Sequence, residues 1–466
     1  MNYILAIMAI ALAVYYYNRI CKGKERVLKL IYFELIYNLI IKFIVGNLGL
    51  PSMLNYVTDL VLIWIVIEYF HQKRFKKLYI PKSLMFCVSI LVLISIISFV
   101  LNLYSPMLYL WGFRNNFRFL IFAMMCAVYL KKEDITDIMN ILYGFFLLNI
   151  VVVTYQAFFT TYSARAKGDF ISGLYSNGME RGGNASLNWL MCIVCTYFIV
   201  RFLNKETSMF NMLIAVVGSM YMSTVAEIKI FYIQILLIGI ISLLICRKSF
   251  KTIGFVIVGV VALILGIRAF YILFPNFADF FKAENILDYV TRDTGYGSAG
   301  SGTKTGIDRL TAISFVLDNF LSDPINKLFG VGLGNADYSS FSFLTSSFYR
   351  ENNWSGYQFF YSSFITIEMG LVGLISYLIV ILNYFKNAVQ FKSKIIEEKS
   401  IKQYVVIISL ICVLMIFSNQ TMKIEASGYL VHCILVLPYI LMKPNSDYQS
   451  EYNNDLCPPP LRRRTT

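Results

Sequence analysis

Of the 466 residues, 58% are hydrophobic and only 15% are charged, with a formal net charge of +14. Soluble domains carry nearer a quarter charged residues, and a single soluble core cannot absorb this much apolar surface, so a soluble globular protein is excluded. The basic excess does not call for nucleic acid, because a cationic face against anionic lipid is sufficient to explain it.

The apolar residues fall in blocks near 2–18, 27–45, 54–70, 83–101, 114–130, 135–160, 185–203, 209–225, 228–246, 252–273, 357–385, 403–418 and 424–442. Each is about long enough to cross ~30 Å of hydrocarbon as a helix. The expectation is an all-α polytopic membrane protein of about thirteen transmembrane helices with one large, partly helical external loop. It divides into membrane helices over 1–273, an external loop over 274–356, further membrane helices over 357–442 and a polar, proline-rich tail over 443–466.

The first block has no basic residue before it and no small-residue cleavage site after it, which suits a retained span rather than a signal. Positive residues follow it (Arg19, Lys22, Lys24, Arg26, Lys29) and recur in "HQKRFKK", "KKED", "RFLNK", "RKSFK" and "KNAVQFKSK". These connections alternate with poorly charged ones such as "GNLGLPS" and "NQTMKIEAS". Lysine and arginine concentrate in cytoplasmic loops, so the alternation places the N-terminus and the 274–356 loop outside and the tail inside.

Polar residues gather on the side assigned as external. Arg114 and Arg118 in "WGFRNNFRFLIF" are four apart, on one helical face. One reading makes them snorkelling anchors beside Trp111, and the other gives the deeper Arg118 a ligand or an internal partner. "GLYSNGMERGGNASLNW" sets Glu180 and Arg181 among glycines just before a span. Glu227 and Lys229 interrupt an apolar run. One reading pairs them with each other; the other notes that i, i+2 spacing on a helix puts them on different faces, so that each finds another neighbour.

In the large loop, 276–290 reads as an amphipathic interfacial helix and 292–306 as a flexible glycine- and serine-rich segment. A helix over 307–321 would place Ile307, Leu310, Ile313, Val316 and Phe320 on one face, with Asp323-Pro324 stopping it. "LFGVGLGN" follows no strand and opens no long helix, so it is not a nucleotide fingerprint. It makes either a tight backbone turn or a close approach to a polar ligand.

Arg165, Lys167, Arg181, Arg309 and Arg350 add external positive charge. Arginine presents a fixed fork of donors matched to phosphate oxygens, so these groups suit an anionic ligand such as a lipid diphosphate. Cys192 and Cys195 form a CxxC inside a span and read as core cysteines. The two histidines, His71 and His432, lie away from the external side, which argues against a Ser-His-Asp site there. No cofactor or metal site is expected.

The arrangement resembles bacterial O-antigen polymerases of the Wzy type and the related O-antigen ligases. The likeness runs over about residues 110–385. It rests on "GLYSNGMERGGNASLNWLMCIV", with Arg181 and Asn184 at matching places, and on "STVAEIKIFYIQILLIGI", where Lys229 is the matching cation. It rests further on "GIDRLTAISFVLDNFLSDPINKLFGVGLGN", matching Arg309, and on "SSFITIEMGLVGLISYLIVIL".

The resemblance implies a metal-independent glycosyltransferase of the membrane GT-C class. Such an enzyme acts on undecaprenyl-diphosphate-linked saccharides at the outer face of the bacterial cytoplasmic membrane, in some cases with a chain-length regulator. The ligases carry a histidine near the start of the span after the loop. Here that region reads "NNWSGYQFFYSSF", which favours the polymerase.

The site expectation follows from the leaving diphosphate, whose growing negative charge calls for fixed cations. Arg181, Lys229 and Arg309 are expected in that role. Glu227 and Asp308 are the first candidates for a base, and Glu180 and Glu351 come after them. Arg114, Arg118, Arg165, Asn184, Gly332, Asn335 and Arg350 are expected to bind diphosphate or sugar. The alternatives are an O-antigen ligase, a flippase or transporter for the same lipid-linked sugars, and a non-catalytic scaffold.

Overall fold

A computed structural model describes residues 2–75, 78, 80–162, 167–176, 183–246, 250–273, 307, 309–339 and 341–443. Among these residues there are helices and turns and no strands, as expected of an all-α membrane protein. The expected helix over 276–290, the segment 292–306 and the tail beyond 443 lie outside the described residues.

Helices stand over the apolar blocks, but the count of thirteen spans is not upheld. Seven are long and apolar enough to cross a membrane: Tyr3–Cys21, Ser52–Lys73, Lys82–Asn102, Lys132–Phe159, Asn184–Leu203, Tyr361–Gln390 and Ile396–Ser418. They correspond to α1 (Asn2–Cys21), α3 (Val57–Lys73), α4 (Lys82–Asn102), α6 (Lys132–Phe159), α8 (Asn184–Leu203), α15 (Tyr361–Gln390) and α16 (Ile396–Ser418).

The shortfall has physical causes. Two helices, α2 (Arg26–Leu48) and α5 (Pro106–Tyr129), have the length but carry Glu34 and Lys42, and Arg114 and Arg118, within their apolar runs. The next pair, α9 (Met209–Val225) and α10 (Ile230–Ile245), are short, and α11 (Phe250–Leu273) is apolar over Gly259–Leu273. The last block is split at Val436 into α17 (Glu425–Leu435) and α18 (Leu437–Leu441). Pro438 stands in the first turn of α18, and proline cannot continue a preceding helix.

The core is built around α8, in which every residue from Ser186 to Val200 is buried. It packs against α6, α9, α10, α16 and α17. Cys192 and Cys195 lie inside it, donating to Gln234 Oε1 at 3.3 Å and Ser219 Oγ at 3.1 Å, so they are core side chains. His432 is likewise fully buried, 3.0 Å from the Tyr377 hydroxyl.

The two sets of connections separate to opposite ends of the bundle. At one end Lys24 bonds Asp137 at 2.9 Å and Lys132 bonds Glu398 at 2.7 Å. Lys443 donates to the carbonyls of Val128 and Leu130, the free C-terminal carbonyls of α5. At the other end lie the segment from 307 to 356 and the turn at 419–424.

That segment forms α12 (Ala312–Asn319), α13 (Pro324–Phe329) and α14 (Ser347–Asn352). The expected helix over 307–321 is therefore shorter, and Leu310 is exposed in the turn before it. Asp323 begins the next helix rather than only ending this one, its carboxylate accepting from Ile325 N at 3.0 Å and Asn326 N at 3.3 Å.

The long α15 is broken at Gly370, at φ 68° and ψ −171°. The break frees the carbonyls of Ile367 and Glu368, and the "GVG" turn satisfies them. Val331 N donates to Ile367 O at 2.8 Å, and Gly332 N to Glu368 O at 3.1 Å. Irregular backbone inside a membrane protein needs such protein partners, because lipid supplies none.

Candidate functional site: a charged cleft at the loop end

The outer turns of α5 bring Arg114, Asn115, Asn116 and Arg118 against three other elements. Arg114 reaches α3, with Nε 3.0 Å from Asp59 Oδ2 and Nη2 closer still, and its Nη1 donates to Asn115 Oδ1 at 2.6 Å. Its guanidinium carbon lies 5.0 Å from the ring centroids of both Tyr56 and Trp111. One turn deeper, Arg118 donates to Glu425 Oε1 at 2.8 Å and approaches Asp59 at 3.5 Å. The same Glu425 oxygen accepts from Thr58 at 2.8 Å. Arg118 thus has the internal partner that its depth called for.

The third element is the loop after α13. Asp337 accepts from Asn115 Nδ2 and from Lys423 Nζ, both at 2.6 Å. Lys423 also stands 3.3 Å above the Phe364 ring of α15, a favourable cation–π geometry. Together these groups wall a cleft of about 340 Å³, within the range of small-molecule sites. Lys42, Arg114, Arg118, Lys423, Asp337 and Glu425 line it, with Tyr56, Trp111 and Tyr338. Four cations face these two carboxylates and Asp59, the partner of Arg114, so the wall carries a positive surplus.

A further carboxylate holds the cleft's frame. Glu368, fully buried beside the α15 break, accepts from Asn116 Nδ2 at 2.9 Å and from Gly334 N at 2.8 Å. Gly334, at φ 82°, passes so close to α5 that an added Cβ would collide with the Leu108 carbonyl. At Gly332 a Cβ would collide with the Tyr104 ring. The glycine-rich stretch is therefore a tight turn seated on α5. Next to it Tyr357 donates to Ala336 O at 2.8 Å, and burial, aided by the nearby Glu368 charge, raises its phenol pKa above the ordinary value.

The residues expected at the site are only partly brought together. Arg114 and Arg118 line the cleft. Arg309 lies 5.9 Å from the Phe360 ring, one helical turn before Phe364, on which Lys423 rests. Asn335 donates to Val331 O at 2.7 Å, and Arg350 to Ser342 O at 2.8 Å, so both brace the loop. Glu351 is exposed on α14.

Lys229 and Glu227 form a separate patch with Asn184. They pair with each other at 3.0 Å, as one of the two readings had it, and do not face apart. The reason is local, since Glu227 takes a left-handed φ of 56° in the turn between α9 and α10, where helical spacing does not apply. Asn184 donates to Gly168 O, in the short α7 (Lys167–Phe170), at 3.2 Å and to Ala226 O at 3.1 Å. This patch meets the cleft's side of the bundle where Ser186 Oγ and Ser427 Oγ stand 3.4 Å apart. Arg165, Glu180, Arg181 and Asp308 lie outside the described residues.

Lys42, Asp59, Asp337, Glu368, Lys423 and Glu425 were not singled out from the sequence. A signal existed for three of them. "LIIKFIV", "VTDLVL" and "TIEMG" each place a charge inside an apolar run, and intramembrane ionisable residues are functional candidates by default. Among the described residues no group of three or more His, Cys, Asp or Glu is placed to hold a metal ion.

No protein-family model matches this chain, and no curated protein matches it.

Proposed function

We propose that the protein is a membrane glycosyltransferase of the O-antigen-polymerase kind, joining polyprenyl-diphosphate-linked oligosaccharide repeat units at the outer face of the bacterial cytoplasmic membrane. The observation that carries this reading is the cleft, a cation-rich hollow at the bundle end that the charge pattern assigns to the outside. In the reaction an acceptor sugar hydroxyl attacks the donor's anomeric carbon. The bond from that carbon to the phosphate oxygen breaks, and the lipid diphosphate leaves with the electron pair. The hydroxyl proton passes to a carboxylate or to water.

Fixed cations lower the barrier by meeting charge as it grows on the leaving group. One well-placed donor contributes about 2.7–4 kcal/mol in comparable oxyanion sites. Lys42, Arg114, Arg118 and Lys423 together supply the positive field of the cleft. Arg309, near the Phe360 ring, and Arg181, which precedes α8 in the sequence, are further candidates.

A second reading, translocation of the same lipid-linked sugar, is favoured by one observation. The spanning helix α15 is broken at Gly370 beside the buried Glu368, and broken helices are common at transporter sites. Reconstitution into vesicles with lipid-linked repeat units separates the two. A ladder of longer products with released polyprenyl diphosphate is expected, and Arg181→Ala and Arg118→Ala should abolish it. Movement of the substrate across the bilayer without lengthening would replace the polymerase reading with the transporter.

A further inference from the structure

The four cations of the cleft are not equivalent. Arg114 has Asp59, Arg118 has Glu425, and Lys423 has Asp337, each within hydrogen-bonding distance. Lys42 has neither a hydrogen bond nor an ion pair among the described residues. Its charge is felt at Glu425, but the Glu425 oxygen Oε1 is already taken by Arg118 and Thr58. Of the four cations, Lys42 alone has no hydrogen-bonded carboxylate among the described residues.

Its placement is built rather than incidental. Glu34, Asn38 and Lys42 recur every four residues along α2, on one helical face. Asn38 Nδ2 donates to the Glu34 backbone carbonyl at 2.8 Å and to its carboxylate at 3.1 Å. Lys42 carries this polar stripe outward to the cleft, where it is half-buried. Lys42 shares the Glu425 carboxylate with Arg118 and Thr58, so its charge is only partly neutralised, and an anion in the cleft would complete the pairing. Gln420, on the cleft wall, likewise has no side-chain partner among the described residues.

We infer that Lys42 is the ligand-contacting cation of the cleft, its ammonium bonding an anionic oxygen of the bound glycan, while Asp59, Glu425 and Asp337 hold Arg114, Arg118 and Lys423 in place. The anion is a diphosphate oxygen of the lipid carrier or a carboxylate of an acidic sugar. The inference rests on the cleft being an anion site and not on chain lengthening.

The test uses the full chain in lipid nanodiscs, titrated with inorganic pyrophosphate, glucuronate and neutral glucose. Wild type should bind at least one of the two anions saturably and glucose no better than Lys42→Met does. Lys42→Met should weaken binding of that anion by about tenfold or more, the value of a hydrogen bond to a charged group. Lys42→Arg should stay within about threefold, since the charge is kept. Loss confined to pyrophosphate assigns the carrier, and loss confined to glucuronate assigns an acidic sugar. Should Lys42→Met fail to fold, amine-acylation of wild type read by mass spectrometry replaces it, with the binding anion expected to protect Lys42. Binding of neither anion by wild type, an unchanged affinity in folded Lys42→Met, or no protection would each overturn the inference. Lys42-dependent binding without a product ladder would leave it standing and remove the polymerase reading.

Discussion

Replacing Gly370 by alanine tests the break in α15 by the sign of the effect. In an uninterrupted helix, glycine to alanine stabilises by about 0.8–1 kcal/mol. At φ 68° and ψ −171° the backbone is in a region open essentially to glycine, and holding another residue there costs about 1–3 kcal/mol. The added Cβ would also collide with the Leu328 carbonyl and the Phe329 amide. Both are backbone atoms and cannot rotate aside, and overpacking of this kind adds about 1–3 kcal/mol. Gly370→Ala should therefore destabilise by about 2–6 kcal/mol. Gly259→Ala is the matched control, because no atom lies within 4 Å of its Cβ and its φ is not positive, so it should be neutral or stabilising. Thermal unfolding of both variants in one detergent, followed by tryptophan fluorescence and size exclusion, reads the comparison. A Gly370→Ala protein that melts at or above wild type would show α15 to be continuous and refute the docking of the glycine turn against it.

Arg118→Ala should destabilise by about 3–5 kcal/mol, because it leaves the buried Glu425 without its closest partner; adding Glu425→Gln should restore part of the loss, and additive effects of the two changes would show that the pair is not coupled. Lys443 is predicted to shape the alkaline stability profile. Burial lowers its pKa from 10.5 to about 8, so between those values the unfolded chain binds the proton that the folded chain has released. Stability contributed by this group must then rise with pH across that window, by up to roughly 3 kcal/mol. The difference in melting temperature between wild type and Lys443→Met, measured from pH 7 to 10.5, should grow in favour of wild type as pH rises, and a flat difference would refute the burial of the ammonium.

The legible part of the fold is what local composition controls. Apolar runs made helices because in hydrocarbon every backbone group must be satisfied within the segment. The alternation of basic connections located two ends, and residues such as Lys24, Asp137, Lys132, Glu398 and Lys443 do meet at one of them. The count of spans was overstated because block length ignores what a charge or a proline does inside the block, as at Lys42, Arg118 and Pro438. The site was legible only where charges were conspicuous. Arg114 and Arg118 stood out, whereas Lys423 and Glu425 sat in an unremarkable short connection, and Asp337 in a loop read only for its glycines.

Sequence by itself determined that this chain is a bundle of apolar helices with a basic end and a polar, glycine-punctuated end, since hydropathy, helix length and charge act over a few neighbouring residues. Only the tertiary structure decided which charges are spent on one another and which remain for a ligand. Asp59 meets Arg114 across 55 positions and Glu425 meets Arg118 across 307, and pairing at such separations depends on how helices pack. The same packing seated the glycine turn on the broken α15 and left Lys42 facing the cleft.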